Sequence, residues 1–256
     1  MPLPASLSHV VLIPSYNSGP RLAEVARAAA AHWKPVWILI DGSDDGSLEA
    51  LEAAAIEGVR VCSLSPNRGK GAAVLHGMRN ASCEGFTHAL VMDADGQHSP
   101  DHISVFMKTS ESHPEAMILG QPLFGQDAPR ERVYGRRVGN FFATLATLGG
   151  GIGDSLFGFR VYPLAPSLKI LNAIQTARGF DFDTELVVRL YWYGIPPLNL
   201  ACPVYYPTQK EGGISHFQYL RHNLLLVSTH IRLSCGMLKR IPWLLSLKKR
   251  SPQTRL

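Results

Sequence analysis

The sequence predicts an α/β fold built on a doubly wound, mostly parallel sheet. Two patterns carry that expectation. Short apolar runs alternate with longer amphipathic ones, and each apolar run ends in a cluster of Gly, Pro, Asp, Asn or Ser. A strand that reads as an unbroken apolar run is buried on both faces, as in a parallel sheet covered by helices. With 256 residues, 46% hydrophobic and 18% charged, the chain has enough material for one globular domain with an appendage.

The first strand is HVVLI at residues 9–13, followed by the helical run RLAEVARAAAAHW. VWILI at 36–40 precedes SLEALEAAA, and VRVCS at 59–63 precedes KGAAVLHGMRNA. HALVM at 88–92 is the fourth strand. In sheets of this kind ligands sit beyond the carboxyl ends of the strands, so the loops after Ile13, Ile40, Ser63 and Met92 are expected to share one crevice. Those loops read PSYNSG, DGSDDGS, SPNRGKG and DADGQH.

Each loop brings a usable group. Pro14 fixes the exit turn, Asn17 can bond a base or a ribose, and Asp41 can accept from an imide or a ribose hydroxyl. Gly42 and Gly46 permit tight turns, while Asp44 and Asp45 suit turns and the cap of the following helix. Lys70 starts a helix just behind Gly69, where it and backbone N–H groups can face a diphosphate. Asp93 and Asp95 are hard oxygen ligands of the kind that Mg²⁺ or Mn²⁺ takes alongside substrate phosphates. Together the four loops describe a cradle for a nucleotide diphosphate.

The segments VVLIPSYN, ILIDGSDDGS, PNRGKGAAVLHGMRNA and MDADGQH, in this order, resemble the family 2 glycosyltransferases, inverting enzymes of the GT-A fold. GDSLFGFRVY and GFDFDTELVVRLYWYGIPPLNLACPVYYP resemble the branch containing dolichyl-phosphate mannose synthase and polyprenyl-phosphate sugar transferases. The resemblance covers residues 9 to about 210. It implies a nucleotide-sugar donor held by Pro14, Tyr16, Asn17, Asp41, Lys70, Asp93 and Gln97, with Mg²⁺ or Mn²⁺ on Asp93 and Asp95. It also implies a lipid acceptor held by Arg136, Arg137 and Arg160, with Asp183 and Glu185 as catalytic acids. Asp183 is the candidate base where the acceptor is a hydroxyl; a phosphate oxygen needs none. Gln121 and Pro122 stand where that branch commonly shows G-S-R, so polyprenyl phosphate and hydroxyl-bearing lipid both stay open.

Residues 1–210 are thus expected to form the catalytic domain, and 211–256 an amphipathic, basic, membrane-proximal helical tail. A helix over 218–240 is apolar around most of its circumference, with Arg221, Ser228, Arg232 and Lys239 near one line. Pro242 ends it before WLLSLKKR. Such a helix lies in a bilayer interface beside anionic lipids, or packs on its own domain or a second copy, so a homo-oligomer stays open. No uncharged apolar run reaches the ~18–20 residues of a spanning helix. The net charge of +5 is modest and concentrated at the end of the chain, and no nucleic-acid partner is expected.

Four scattered cysteines without a C-x-x-C pair signal neither a disulfide framework nor a zinc site, and the first residues lack a signal-peptide pattern. The expected place is cytoplasmic, peripheral on the cytosolic face of a membrane. Two other classes share the four-loop arrangement: a sugar nucleotidyltransferase and a non-catalytic sugar-nucleotide-binding scaffold. The absence of a G-x-G-x-x-G after the first strand argues against a dehydrogenase.

Overall fold

The structure, a computed structural model, describes residues 3–125, 130–205 and 219–250. Seven strands form one sheet in the order β3-β2-β1-β4-β6-β5-β7. The centre is made of β1 (His9–Ser15), β2 (Val36–Asp41) and β4 (His88–Val91), and every residue of the three is buried. β1 lies parallel to both β2 and β4, with Val11 opposite Val36 on one side and His9 opposite His88 on the other. β3 (Val59–Leu64) pairs parallel to β2 at the sheet edge. Being an edge strand, it is only partly buried, unlike the fully covered strand its apolar pattern predicts.

The helices cover both faces. α1 (Arg21–His32) and α4 (Ile103–Ser112) close one face over Val11, Ile13, Ile38 and Phe106. α3 (Lys70–Cys83), α6 (Leu164–Asn172) and α7 (Phe182–Trp192) close the other over Leu12, Leu39, Met78 and Leu186. Neighbouring strand residues divide between the two cores because side chains alternate across a sheet. The short α2 (Ser47–Ala53) links β2 to β3.

The second half departs from simple winding. β6 (Arg160–Pro163) runs antiparallel to both β4 and β5 (Met117–Phe124), and β7 (Pro197–Val204) runs parallel to β5. Four residues around a buried arginine give β6 too short a pattern to read from sequence.

Three further helices, α5 (Arg130–Ala146), α8 (Tyr219–Leu238) and α9 (Ile241–Arg250), extend the second of the two cores with Ala143, Ala146, Leu233, Met237 and Leu244. The expected helix over 218–240 is α8, which ends at Leu238, and after the break Pro242 is the second residue of the next helix. The boundary expected at 210–211 lies outside the described residues, as do the side chains of Arg130, Arg132 and Arg221. Among the described residues no helix is long and apolar enough to cross a membrane.

Candidate active site

Strand order reverses between β1 and β4, and there the loops from their carboxyl ends diverge. A cleft of about 1340 Å³ opens at that point, lined among others by Pro14, Tyr16, Asp41, Lys70, Asp93, Asp95 and Gln97. Asp183, Arg136 and residues of α8 complete its far wall.

The loops after β1 and β2 are stitched to each other. Asn17 sits at φ 47°, its side-chain amide donates to Asp44 Oδ1 at 2.9 Å, and its Oδ1 accepts the Asp44 N–H at 3.0 Å. Asp45 Oδ2 accepts the Gly19 N–H at 2.7 Å. Asn17 therefore shapes the floor, and it is absent from the cleft lining. Asp41 is a second stitch: its two oxygens accept the N–H groups of Arg68 and Gly69 at 2.9 and 2.7 Å. That places the start of α3, and with it Lys70, against the cleft. A buried carboxylate bonded by two amides locks the loop before any ligand arrives.

Lys70 is the hinge of the site. Its Nζ lies 2.6 Å from Asp93 Oδ1 and 2.6 Å from Asp183 Oδ2, so one ammonium joins the acid after β4 to the acid on α7. Burial alone lowers a lysine pKa, but Asp183 and Asp93 outweigh it and hold Lys70 above the ordinary value, so it is charged. Burial likewise works to raise Asp93, and the charge of Lys70 outweighs it and holds Asp93 below the usual carboxylate range. His98 is the partner behind Asp93. Its Nδ1 accepts the Asp93 N–H at 3.1 Å, and burial lowers its pKa to about 4 against the opposing pull of Asp93. It is neutral, with the proton on Nε2, and its ring is wedged against Phe157 and Phe159.

Gly158 makes the cluster sterically allowed. A Cβ there would lie 2.5 Å from Asp93 Oδ2 and 2.9 Å from Lys70 Nζ, so any side chain would displace the pair. The role is close approach, which only glycine permits here.

For a divalent ion the protein offers Asp93 and Asp95 on one loop, with the Gln97 N–H donating to Asp95 Oδ1 at 2.9 Å to fix that carboxylate. Among the described residues no group of three His, Cys, Asp or Glu side chains is gathered for a metal. Two hard oxygens with open space above them fit Mg²⁺ or Mn²⁺ shared with substrate phosphates, not a closed protein cage.

The remaining predicted residues separate. Arg136 lines the cleft, held by Asp154 Oδ1 at 3.0 Å. Asp154 also accepts from Asn140 and from the N–H groups of Leu156 and Phe157, which makes it a fixed post for that arginine. Arg137 is exposed and absent from the lining. Arg160 is fully buried behind the wall, donating to the carbonyls of Asp183 and Asp154 and to the Tyr162 hydroxyl, so it braces α7 and cannot touch an acceptor in this arrangement. Glu185 is fully buried and outside the lining. It accepts from Thr176, Arg189 and Arg232, which outweigh burial and hold its pKa low.

Two participants escaped the sequence reading. Asp154 is an isolated acid at the end of a long uncharged stretch, and a buried acid demands a cation. Arg232, expected on an outward basic stripe, instead turns in from α8 to the Glu185 carboxylate at 2.6 Å.

The sequence matches the family described as "Glycosyl transferase family 2" over residues 10–171, more than half the chain. The chain belongs to glycosyl transferase family 2. It is 27% identical to the polyprenol monophosphomannose synthase of Mycolicibacterium smegmatis over 214 residues, 80% of this chain and 79% of that one. It is 24% identical to a UDP-N-acetylglucosamine–dolichyl-phosphate N-acetylglucosaminyltransferase of Methanococcus voltae, covering 70% of this chain and 78% of that one. In fold it is similar to mannosyl-3-phosphoglycerate synthase from Rubrobacter xylanophilus, with TM-score 0.62 at 16% identity over 98% of this chain and 77% of that one. It is also similar to S. aureus TarS 1-349 in complex with UDP-GlcNAc, with TM-score 0.54 at 14% identity over 91% and 72% of the two chains. The transferase thus has the GT-A architecture expected from its four loops, and these two curated relatives carry polyprenol monophosphomannose or dolichyl-phosphate in their names.

Proposed function

We propose that this transferase moves a sugar, with inversion, from a UDP- or GDP-linked donor to a membrane lipid that presents either a polyprenyl phosphate or a hydroxyl. The observation that carries the reading is Lys70 bridging Asp93 and Asp183. It puts a cation, a phosphate-side acid and an acceptor-side acid at one point, where a glycosyl diphosphate is cleaved.

Pro14, Tyr16, Asp41 and Gln97 line the donor half of the cleft. Asp93 and Asp95 would hold Mg²⁺ or Mn²⁺. Such an ion, when bound, acts as a Lewis acid toward the diphosphate that leaves. Lys70 then exchanges its carboxylate partners for a diphosphate oxygen, and a unit-charge contact at ~4 Å and an effective dielectric near 20 is of order 4 kcal/mol. That exchange frees Asp183 Oδ2. With a hydroxyl acceptor Asp183 takes the proton as the oxygen attacks the anomeric carbon opposite the nucleotide; an acceptor phosphate is already anionic and is held by Arg136. Glu185 and Arg160 position α7. The tail at 211–256 keeps the enzyme peripheral at the cytosolic face of an anionic membrane.

The test is nucleoside diphosphate release from a panel of UDP- and GDP-sugars, with Mn²⁺ and either prenyl phosphate or total lipid extract. Release from one donor that needs both lipid and metal is the expected result. Metal-independent release, or none across the panel together with no donor binding by calorimetry, overturns the reading.

A further inference from the structure

The described surface exposes large apolar side chains in an ordered pattern. On α5 they are Tyr134, Val138, Phe141 and Leu145, with Tyr134 69% and Phe141 64% exposed. On α8 they are Leu224, Val227, Ile231 and Leu238, with Leu224 62% and Ile231 61% exposed. Spacings of three, four and seven put each set on one stripe of its helix.

The stripes adjoin. α5 and α8 pack together with Phe142 against His230, ring centroids 5.2 Å apart, and Gly139 beneath the same histidine. At ~100° per residue, the exposed α5 set lies just to one side of Phe142, and the exposed α8 set just to one side of His230. Both sets therefore flank the seam on its solvent side. At the start of the seam, Gly135 and Arg136 of α5 and His222, Asn223 and Leu226 of α8 line the catalytic cleft. The apolar face begins at the cleft mouth.

We propose that α5 and α8 form one platform that docks on an anionic bilayer and sets the cleft mouth at the level of the lipid headgroups. The platform goes beyond the tail, because half of it belongs to the catalytic domain, and it rests on the reading of a lipid-borne acceptor. Charge selects the occupant. Residues 219–250 contain no Asp or Glu, and the exposed cations Arg137 on α5 and Lys239 just past α8 accompany the apolar stripes. A second copy docking by the same face would bring cations against cations, whereas an anionic bilayer accepts both the cations and the apolar residues. With no described helix able to span a membrane, the attachment is interfacial.

The experiment is flotation of the full chain with phosphatidylglycerol vesicles and with phosphatidylcholine vesicles, alongside the double variant Phe141→Asp, Ile231→Asp. Folding of the variant is checked by thermal melting, and transfer is measured separately on a short-chain, water-soluble prenyl phosphate. Wild type should float with phosphatidylglycerol and release as salt rises. The double variant should lose at least tenfold in partition and keep short-chain transfer within threefold. Wild type that transfers but ignores vesicles overturns the platform, as does a folded variant that floats like wild type. A wild-type dimer that the variant converts to monomer, with no vesicle binding, reassigns the face to a second copy. Protein that floats and depends on Phe141 and Ile231 but transfers to no acceptor overturns the functional reading and leaves the platform standing.

Discussion

Asp183 and Glu185 stand two residues apart in the first turn of α7, and the fold treats them oppositely. Asp183 faces the cleft, and its close partner is the single ammonium of Lys70, shared with Asp93. Glu185 faces inward, where Thr176 and two arginines occupy its oxygens. A carboxylate held by guanidiniums from its own helix and from α8 is fixed in place, because planar donors match its geometry. One held by a flexible lysine between two acids can be released when a diphosphate offers the lysine more charge. A site needs both kinds: Glu185 holds α7 still while Lys70 changes partners.

Two substitutions should separate the kinds. Asp93→Asn is expected to lower turnover by roughly 10³-fold, since it removes both a metal ligand and the phosphate-side partner of Lys70. Its unfolding midpoint should stay close to wild type. Turnover within tenfold of wild type at saturating Mn²⁺ would remove Asp93 from the mechanism. Glu185→Gln should act the other way, costing about 2–4 kcal/mol in urea unfolding. That is below the full figure for a broken buried pair because Arg189 and Arg232 are 19% and 33% exposed and can rehydrate. Turnover per folded molecule should change by less than about fivefold; a large loss with unchanged stability would return Glu185 to the chemistry.

That division was half legible in the sequence. The four strand-end loops were, because position after a buried apolar run says where a loop points, and Pro14, Asp41, Lys70, Asp93, Asp95 and Gln97 do meet in one cleft. The acids of GFDFDTEL were visible as a group, but which faced the cleft was not. Helical spacing puts Asp183 and Glu185 about 200° apart, without saying which side is buried. Arg160 misled for a related reason: an arginine near a site reads as a ligand for phosphate, and its burial came from β6, a strand too short to announce itself. Arg232 misled because a cation on an apolar helix reads as solvated, and its buried partner lies 47 residues away in sequence.

Gly158 sharpens the comparison from the side of sterics. Its missing Cβ leaves room for Asp93 and Lys70, and both neighbours are ends of side chains that can shift. Gly158→Ala should therefore leave the fold intact, lower kcat/KM by about tenfold, and raise the Mn²⁺ concentration for half-maximal rate. If the rate falls with no change in metal dependence, the glycine serves only β6 and not the Asp93 pair.

A pH scan of stability distinguishes the Glu185 cluster from a second buried group at the opposite end of the sheet. His9 and His88 stack at 4.6 Å, and burial, then His88, lowers the His9 pKa to about 4, while His88 and His230 are also lowered by burial. For a histidine whose folded pKa is depressed, the unfolded chain takes up protons below about 6.5 while the folded one does not. Stability then falls as pH drops from 6.5, by up to about 1.4 kcal/mol per unit for each such histidine, and His9 stops contributing near pH 4. Glu185 has the same sign of dependence in a lower pH window. Its carboxylate pKa is depressed below the ordinary 4.5, so its contribution is complete above 4.5 and is lost only as pH falls further toward its folded value. Wild type and Glu185→Gln should accordingly show parallel curves between pH 6.5 and 4.5, separated by the cost of the lost ion pairs, and should converge below 4.5. Curves that converge already near pH 6 would mean that the arginines are held by something other than the ionised Glu185.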